Sequence, residues 1–167
     1  LPEGERAELI DGKFYDMAPP SRIHQKLVFT ISRIIGNYIA DHHGSCEVYP
    51  APFAVNLDAD DKDWVEPDVS IICDPNKLTD RGCSGAPDLI FEIVSPSSRK
   101  LDYGIKNGIY SQSGVREYWI VDPAKERVTV YHYEDDAAPA IYSFEQDIPV
   151  GVYPGLTIKI NDLLENY

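Results

Sequence analysis

Leu89-Ile90-Phe91-Glu92-Ile93-Val94 is apolar at every position but one. So short and continuous a run belongs to a strand covered on both faces, which places Glu92 in the interior. A lone carboxylate there is costly, so it must be neutral, paired with a cation or bound to a metal. Working outward, Asp68-Val69-Ser70-Ile71-Ile72 follows Glu66-Pro67 and reads as a second such strand, opened by an acidic residue. Taken alone, Asp68 is equally a strand-end or turn aspartate.

The helix expected over Leu101 to Ser113, closed by Gly114, carries Asp102, Lys106 and Tyr110 at i, i+4 and i+8, flanked by Ile105 and Ile109. These positions share one face, while Gly104, Asn107, Gly108 and Ser111 take the other. Lys106 is therefore expected to point toward the sheet. The alternative is an exposed Asp102–Lys106 pair worth only about 0.3–0.5 kcal/mol. An inward lysine beside two acidic strand residues suits divalent-cation chemistry on a phosphodiester, with Asp68 and Glu92 as hard oxygen ligands for Mg²⁺. A structural Glu92 ion pair is the competing account.

The rest of the chain supplies the frame. Asp11-Gly12 between Glu8-Leu9-Ile10 and Lys13 to Met17 predicts a two-residue hairpin. Pro19-Pro20-Ser21 offers a stop and an N-cap, and Ile23, Leu27, Ile31, Ile34 and Tyr38 recur at helical spacing until Gly44. His24 falls on the apolar side of that helix, where a satisfied core histidine is the simpler expectation and a place near the acidic site the other. Strand-like runs follow at Cys46 to Tyr49, Pro52 to Leu57, Ala140 to Phe144 and, as a hairpin, Glu117 to Tyr133. A short helix closes the chain after Asn161. The pattern predicts one α/β (α+β) domain over residues 1–167 with a single central mixed sheet flanked by helices.

The sequence has 167 residues, 43% of them apolar, and 28 acidic against 15 basic side chains give a net charge of −13. That composition is globular, and no stretch reaches the ~20 apolar residues of a membrane helix. The chain is expected to be soluble and, lacking a signal-peptide pattern at its start, cytoplasmic. The acidity argues against a broad non-specific nucleic-acid surface without excluding a local basic groove. Cys46, Cys73 and Cys83 are sparse and odd in number, and are read as reduced thiols.

Glu8 to Gly12, Met17 to Ser21, Glu66-Pro67-Asp68-Val69, Ala86-Pro87-Asp88-Leu89, Glu92-Ile93-Val94-Ser95-Pro96-Ser97, Asp102 through Lys106 to Tyr110, and Gly114 to Pro123 resemble the successive blocks of the Uma family of bacterial endonucleases. That family in turn resembles the PD-(D/E)xK restriction-endonuclease superfamily. The resemblance covers nearly the whole chain and implies a restriction-endonuclease-like core. It implies that Asp68 and Glu92 are the acidic metal ligands for Mg²⁺ or Mn²⁺, that DNA is the substrate, and that the protein pairs as a homodimer. The superfamily pattern expects lysine two residues after the acidic one, where this chain has Val94. Lys106 is the expected replacement, ahead of Lys100 beside Arg99. The rival is a catalytically inactive binding module on a nuclease fold, favoured by the net charge. A hydrolase built on Ser95 or Ser97 lacks both a placed base and a Gly-x-Ser-x-Gly turn. For a dimer contact the sequence offers Tyr118, Trp119, Tyr131 and Tyr133.

Overall fold

In the computed structural model, which describes residues 5–165, the chain opens with β1 (Ala7–Ile10) and β2 (Lys13–Asp16). They are joined by Asp11 and Gly12 at φ +48° and +79°, the paired positive angles of the turn the dipeptide predicts. Helix α1 (Arg22–Asp41) follows, its first turn capped by the Ser21 side chain accepting from the His24 N–H. The next strands are β3 (Glu47–Pro50), β4 (Val55–Asn56), β5 (Trp64–Val65) and β6 (Val69–Ile72). Then come β7 (Leu78–Thr79), β8 (Gly82–Ser84) and β9 (Leu89–Ile93). A π-helical turn, Leu101–Ile105, runs directly into α2 (Lys106–Ser113), which ends at Gly114 with φ +97°. Strands β10 (Glu117–Asp122), β11 (Arg127–His132), β12 (Ala140–Ser143), β13 (Ile148–Pro149) and β14 (Thr157–Ile158) lead to α3 (Ile160–Glu165).

The larger sheet has the order β12-β11-β10-β9-β6-β3. It is mixed: β9 and β10 run parallel, and the other pairs are antiparallel. Alternation along β9 sends Leu89, Phe91 and Ile93 to one face, where they pack with Leu27, Ile31 and Ile35 of α1 and with Ile160 and Leu163 of α3. Ile90 and Val94 face the other way, into a second core with Tyr110, Tyr118 and Ile120. Both faces being covered is why β9 reads as a continuous apolar run, and Glu92 shares the second face.

Beside the expected central sheet stand a second six-stranded sheet and a two-stranded one, β13-β14. The second six-stranded sheet, β2-β1-β5-β4-β8-β7, supplies Ile10, Val55, Leu57 and Val65 to the second core. Of the run Pro52 to Leu57 only Val55–Asn56 forms a strand. Strands this short leave no period to read. Close approach holds the sheet together at Gly82, at φ +137°: a Cβ there would lie 2.1 Å from the Ala54 carbonyl oxygen.

Two further expectations are corrected. Cys46 and Cys73 form a disulfide and only Cys83 is free among the described residues. The register Glu47↔Ile72 places the residues just outside β3 and β6 opposite each other, a proximity that spacing along the chain does not reveal. Tyr118 and Trp119 are fully buried, since their strand lies inside the sheet with both faces covered, and so they offer no contact surface. Among the described residues no helix is long and apolar enough to cross a membrane.

The disulfide closes a loop with a sequence separation of 27, for which the chain-entropy account gives about 3–4 kcal/mol. Replacing Cys46 and Cys73 together by serine is expected to lower the urea-unfolding free energy by about that amount. Reductant should do the same to the parent protein and leave the double variant unchanged.

Candidate metal and phosphodiester site

Continuing the register Val69↔Phe91 by one residue puts Asp68 opposite Glu92. Each carboxylate is tied to the backbone beside the other. The Asp68 N–H donates to Glu92 Oε1 at 3.0 Å, and the Ile93 N–H donates to Asp68 Oδ2 at 2.7 Å. The two acidic side chains singled out in the sequence are thus brought together by one step of strand register.

Lys106 arrives from the opposite layer. In the π-helical turn the Lys106 N–H reaches back to the Leu101 carbonyl, a wide turn of the kind that recurs at functional sites. Lys106 Nζ lies 2.6 Å from Glu92 Oε2, 2.8 Å from Glu8 Oε1 and 3.9 Å from Asp102 Oδ1. The Tyr110 hydroxyl donates to Glu92 Oε2 at 2.9 Å. Asp102 accepts from the Ser98 hydroxyl at 2.7 Å, and Glu8 from the Glu66 N–H at 2.8 Å. Lys106 is 3% exposed and Asp102 2%, which rules out the solvent-exposed pair as an account of these two residues. Lys100 is exposed and stands outside the cluster.

Glu8 is the member that the sequence reading missed. Its signal was present in the hairpin: alternation puts Glu8 on the same side of β1 as Ile10, and both are 3% exposed. His24 takes the second of its two expected places, near the acidic site. Instead of a satisfied core position it sits with Nε2 3.2 Å from Asp68 Oδ2, while its buried Nδ1 finds no hydrogen-bond partner among the described residues.

Three buried carboxylates share one ammonium, so the cluster is short of positive charge. Burial pushes Glu92 well above the usual carboxylate range, with Lys106 pulling the other way and Asp68, Asp102 and Glu8 adding to the rise. Burial likewise raises Asp102, to about 6, against Lys106 and the Ser98 hydroxyl. For Lys106 burial alone would favour the neutral amine, but Glu92, Glu8 and Asp102 together hold it charged, well above an ordinary lysine. His24 is raised too: burial opposes its charge, and the hydrogen bond and charge of Asp68 prevail.

Such an excess of acid attracts a cation. Among the described residues no three His, Cys, Asp or Glu side chains converge as a ready ligand set. Mg²⁺ does not require one, since one or two carboxylates complete their shell with water and phosphate oxygens. Asp68 Oδ1 lies outside the contacts given above and Glu92 Oε1 holds a single backbone hydrogen bond, so this pair fits the ion.

An acidic pair on neighbouring strands of a mixed sheet, faced by an inward lysine, is the arrangement expected of a restriction-endonuclease-like core. The chain belongs to the Uma2 family, described as "Putative restriction endonuclease", whose profile matches residues 1–161. It is similar to two proteins of Synechocystis sp. (strain ATCC 27184 / PCC 6803 / Kazusa), both described as uncharacterized. To slr1290 it is 26% identical over 142 residues, 84% of this chain and 73% of that one. To sll1609 it is 29% identical over 135 residues, 79% of this chain and 75% of that one. The fold matches a crystal structure described as a putative nuclease belonging to DUF820 from Anabaena variabilis ATCC 29413. The TM-score is 0.73 at 21% identity, over 94% of this chain and 88% of that chain.

The buried acids set a pH dependence. Asp102 binds its proton more tightly folded than unfolded, so its contribution to stability is complete below pH about 4 and is lost as pH rises through about 6. The loss amounts to about 3 kcal/mol at about 1.4 kcal/mol per pKa unit. Urea unfolding followed across that interval in metal-free buffer is expected to show the decline, and Asp102→Asn to lessen it, the part due to Glu92 remaining.

Proposed function

We propose that the chain is a Mg²⁺- or Mn²⁺-dependent endonuclease that hydrolyses DNA phosphodiester bonds at Asp68, Glu92 and Lys106. The observation that carries this reading is the 2.6 Å contact from Lys106 Nζ to Glu92. It supports reading Lys106, from α2, as the counterpart of the lysine that the second strand lacks where Val94 stands.

Asp68 and Glu92 would hold the ion. When bound, it supplies Lewis-acid polarisation of the phosphate and a water acidified for attack. The remaining work belongs to side chains in place. Lys106, held charged by its carboxylate neighbours, offsets negative charge growing on the pentavalent phosphorus; with its proton held this tightly it acts as a fixed cation rather than as a base. Tyr110 and the Asp68 N–H fix the two Glu92 oxygens in orientation. His24 positions Asp68. Substrate approaches from the Asp68 side, where that side chain and His24 are 13% and 18% exposed, since Glu92 and Lys106 lie deeper. Cutting both strands of a duplex calls for two such centres, which a homodimer would supply.

The net charge of −13 favours a second reading, a binding module that keeps the fold without the chemistry. Metal affinity separates them. Mn²⁺ titration is expected to saturate one site in the parent protein and to lose at least tenfold in affinity in Asp68→Ala and in Glu92→Gln, together with Mn²⁺-dependent cleavage of supercoiled or linear DNA. Glu92→Gln removes one charge from an acid-rich cluster while Lys106 keeps Glu8, so the apo variant should melt no lower than the parent. Unchanged Mn²⁺ affinity in both variants, with no cleavage by the parent, would leave the binding module.

A further inference from the structure

We propose that the cavity at the end of β3 receives one unpaired base of the nucleic-acid strand that is cut at Asp68 and Glu92; this rests on the endonuclease reading. The cavity encloses about 300 Å³ and is open to solvent, the lower end of small-ligand sites and room for a single ring system. Tyr49 and Phe53 form one wall, their rings 4.4 Å apart and only 5° from parallel. Leu78, Thr79, Asp80, Arg81 and Gly82 of the β7–β8 hairpin form the other, its one acidic side chain set beside its one cation. Because Gly82 lacks a side chain, that hairpin can close against the Ala54 carbonyl.

Position argues for a substrate contact. The Ala51 N–H donates to the Asp68 carbonyl at 2.9 Å, so the segment from Tyr49 to Phe53 turns away from the sheet beside the candidate metal ligand. The register Tyr49↔Ser70↔Ile90 puts Tyr49 on the sheet face that carries Glu92. Two strand spacings across and two residues along separate their Cα atoms by roughly 12 Å, a few nucleotides of strand.

Chemistry names the occupant. A pair of stacked, half-buried aromatic rings offers a π face to a base, and guanidinium stacks on such rings or reaches phosphate. Arg81 is exposed and has no ion-pair partner among the described residues, so its charge is available to a nucleotide. The acid excess of the chain strengthens the case. With few phosphate contacts to draw on, affinity must come from contacts that do not depend on net charge, and base stacking is one. A paired base cannot reach the rings, so the preferred substrate carries unpaired bases near the cut.

Short fluorescein-labelled single-stranded DNA, intact or with abasic positions, is titrated with the protein in EDTA and followed by anisotropy; Mn²⁺-dependent cleavage of the same strands is read in parallel. The parent should bind intact strands about tenfold more tightly than an abasic strand, the worth of one stacked base. Phe53→Leu, which keeps the apolar bulk without the ring, should lose that preference. Arg81→Gln, on an exposed turn, should weaken binding of intact strands, and it decides alone if Phe53→Leu melts early. Equal binding of intact and abasic strands, no binding at all, or a preference unchanged in the variants would overturn the proposal. Cleavage by the parent without base preference would sink this inference and leave the endonuclease reading standing. Base-dependent binding without any cleavage would do the reverse.

Discussion

The Lys106 ammonium, out of reach of water and set among Glu92, Glu8 and Asp102, is the constraint around which the molecule is arranged. Buried charge is tolerated only when paired and hydrogen-bonded, and here the partners come from three separate elements: β1, β9 and the π-helical turn before α2. The lysine could not be withdrawn without stranding all three. On the second face of the central sheet the pairing thus adds to the apolar core a polar contact that fixes how the layers sit.

That arrangement also explains why the site is acid-rich rather than balanced. A cluster with equal charges would be more stable and would have no call for a metal. With one cation among several acids, the shortfall appears as raised proton affinity on Glu92 and Asp102, and the same shortfall is what would draw a divalent ion to the outer pair. Stability given up in the empty protein and any affinity for an ion would have one electrostatic origin.

Much of this was legible in the chain. The apolar run around Glu92 exposed itself through a missing period, since covered strands do not alternate, and Lys106 through the i, i+4, i+8 spacing with Asp102 and Tyr110. Beyond its opening hairpin the second sheet was hidden, because strands of two or three residues have no pattern. Glu8 was passed over because, although it shares a side of β1 with Ile10, a four-residue hairpin strand does not say which of its sides is covered. The Cys46–Cys73 bond depends on the β3–β6 register, a tertiary fact, and the His24–Asp68 contact depends on where α1 crosses the sheet. The sequence carries local periods well and carries long-range neighbours only where a residue type is out of place in its run.

Glu8 and Lys106 stand about a hundred positions apart along the chain, so their contact is among the costliest in loop entropy that this fold makes. The charge environment of the lysine is complete only when the opening hairpin has docked onto the second core. Partly folded chains, with the hairpin loose, would carry Lys106 under different neighbours and a misplaced Glu92. Competence at this site is thus a property of the finished topology, and it is withheld from the chain until its distant parts have met.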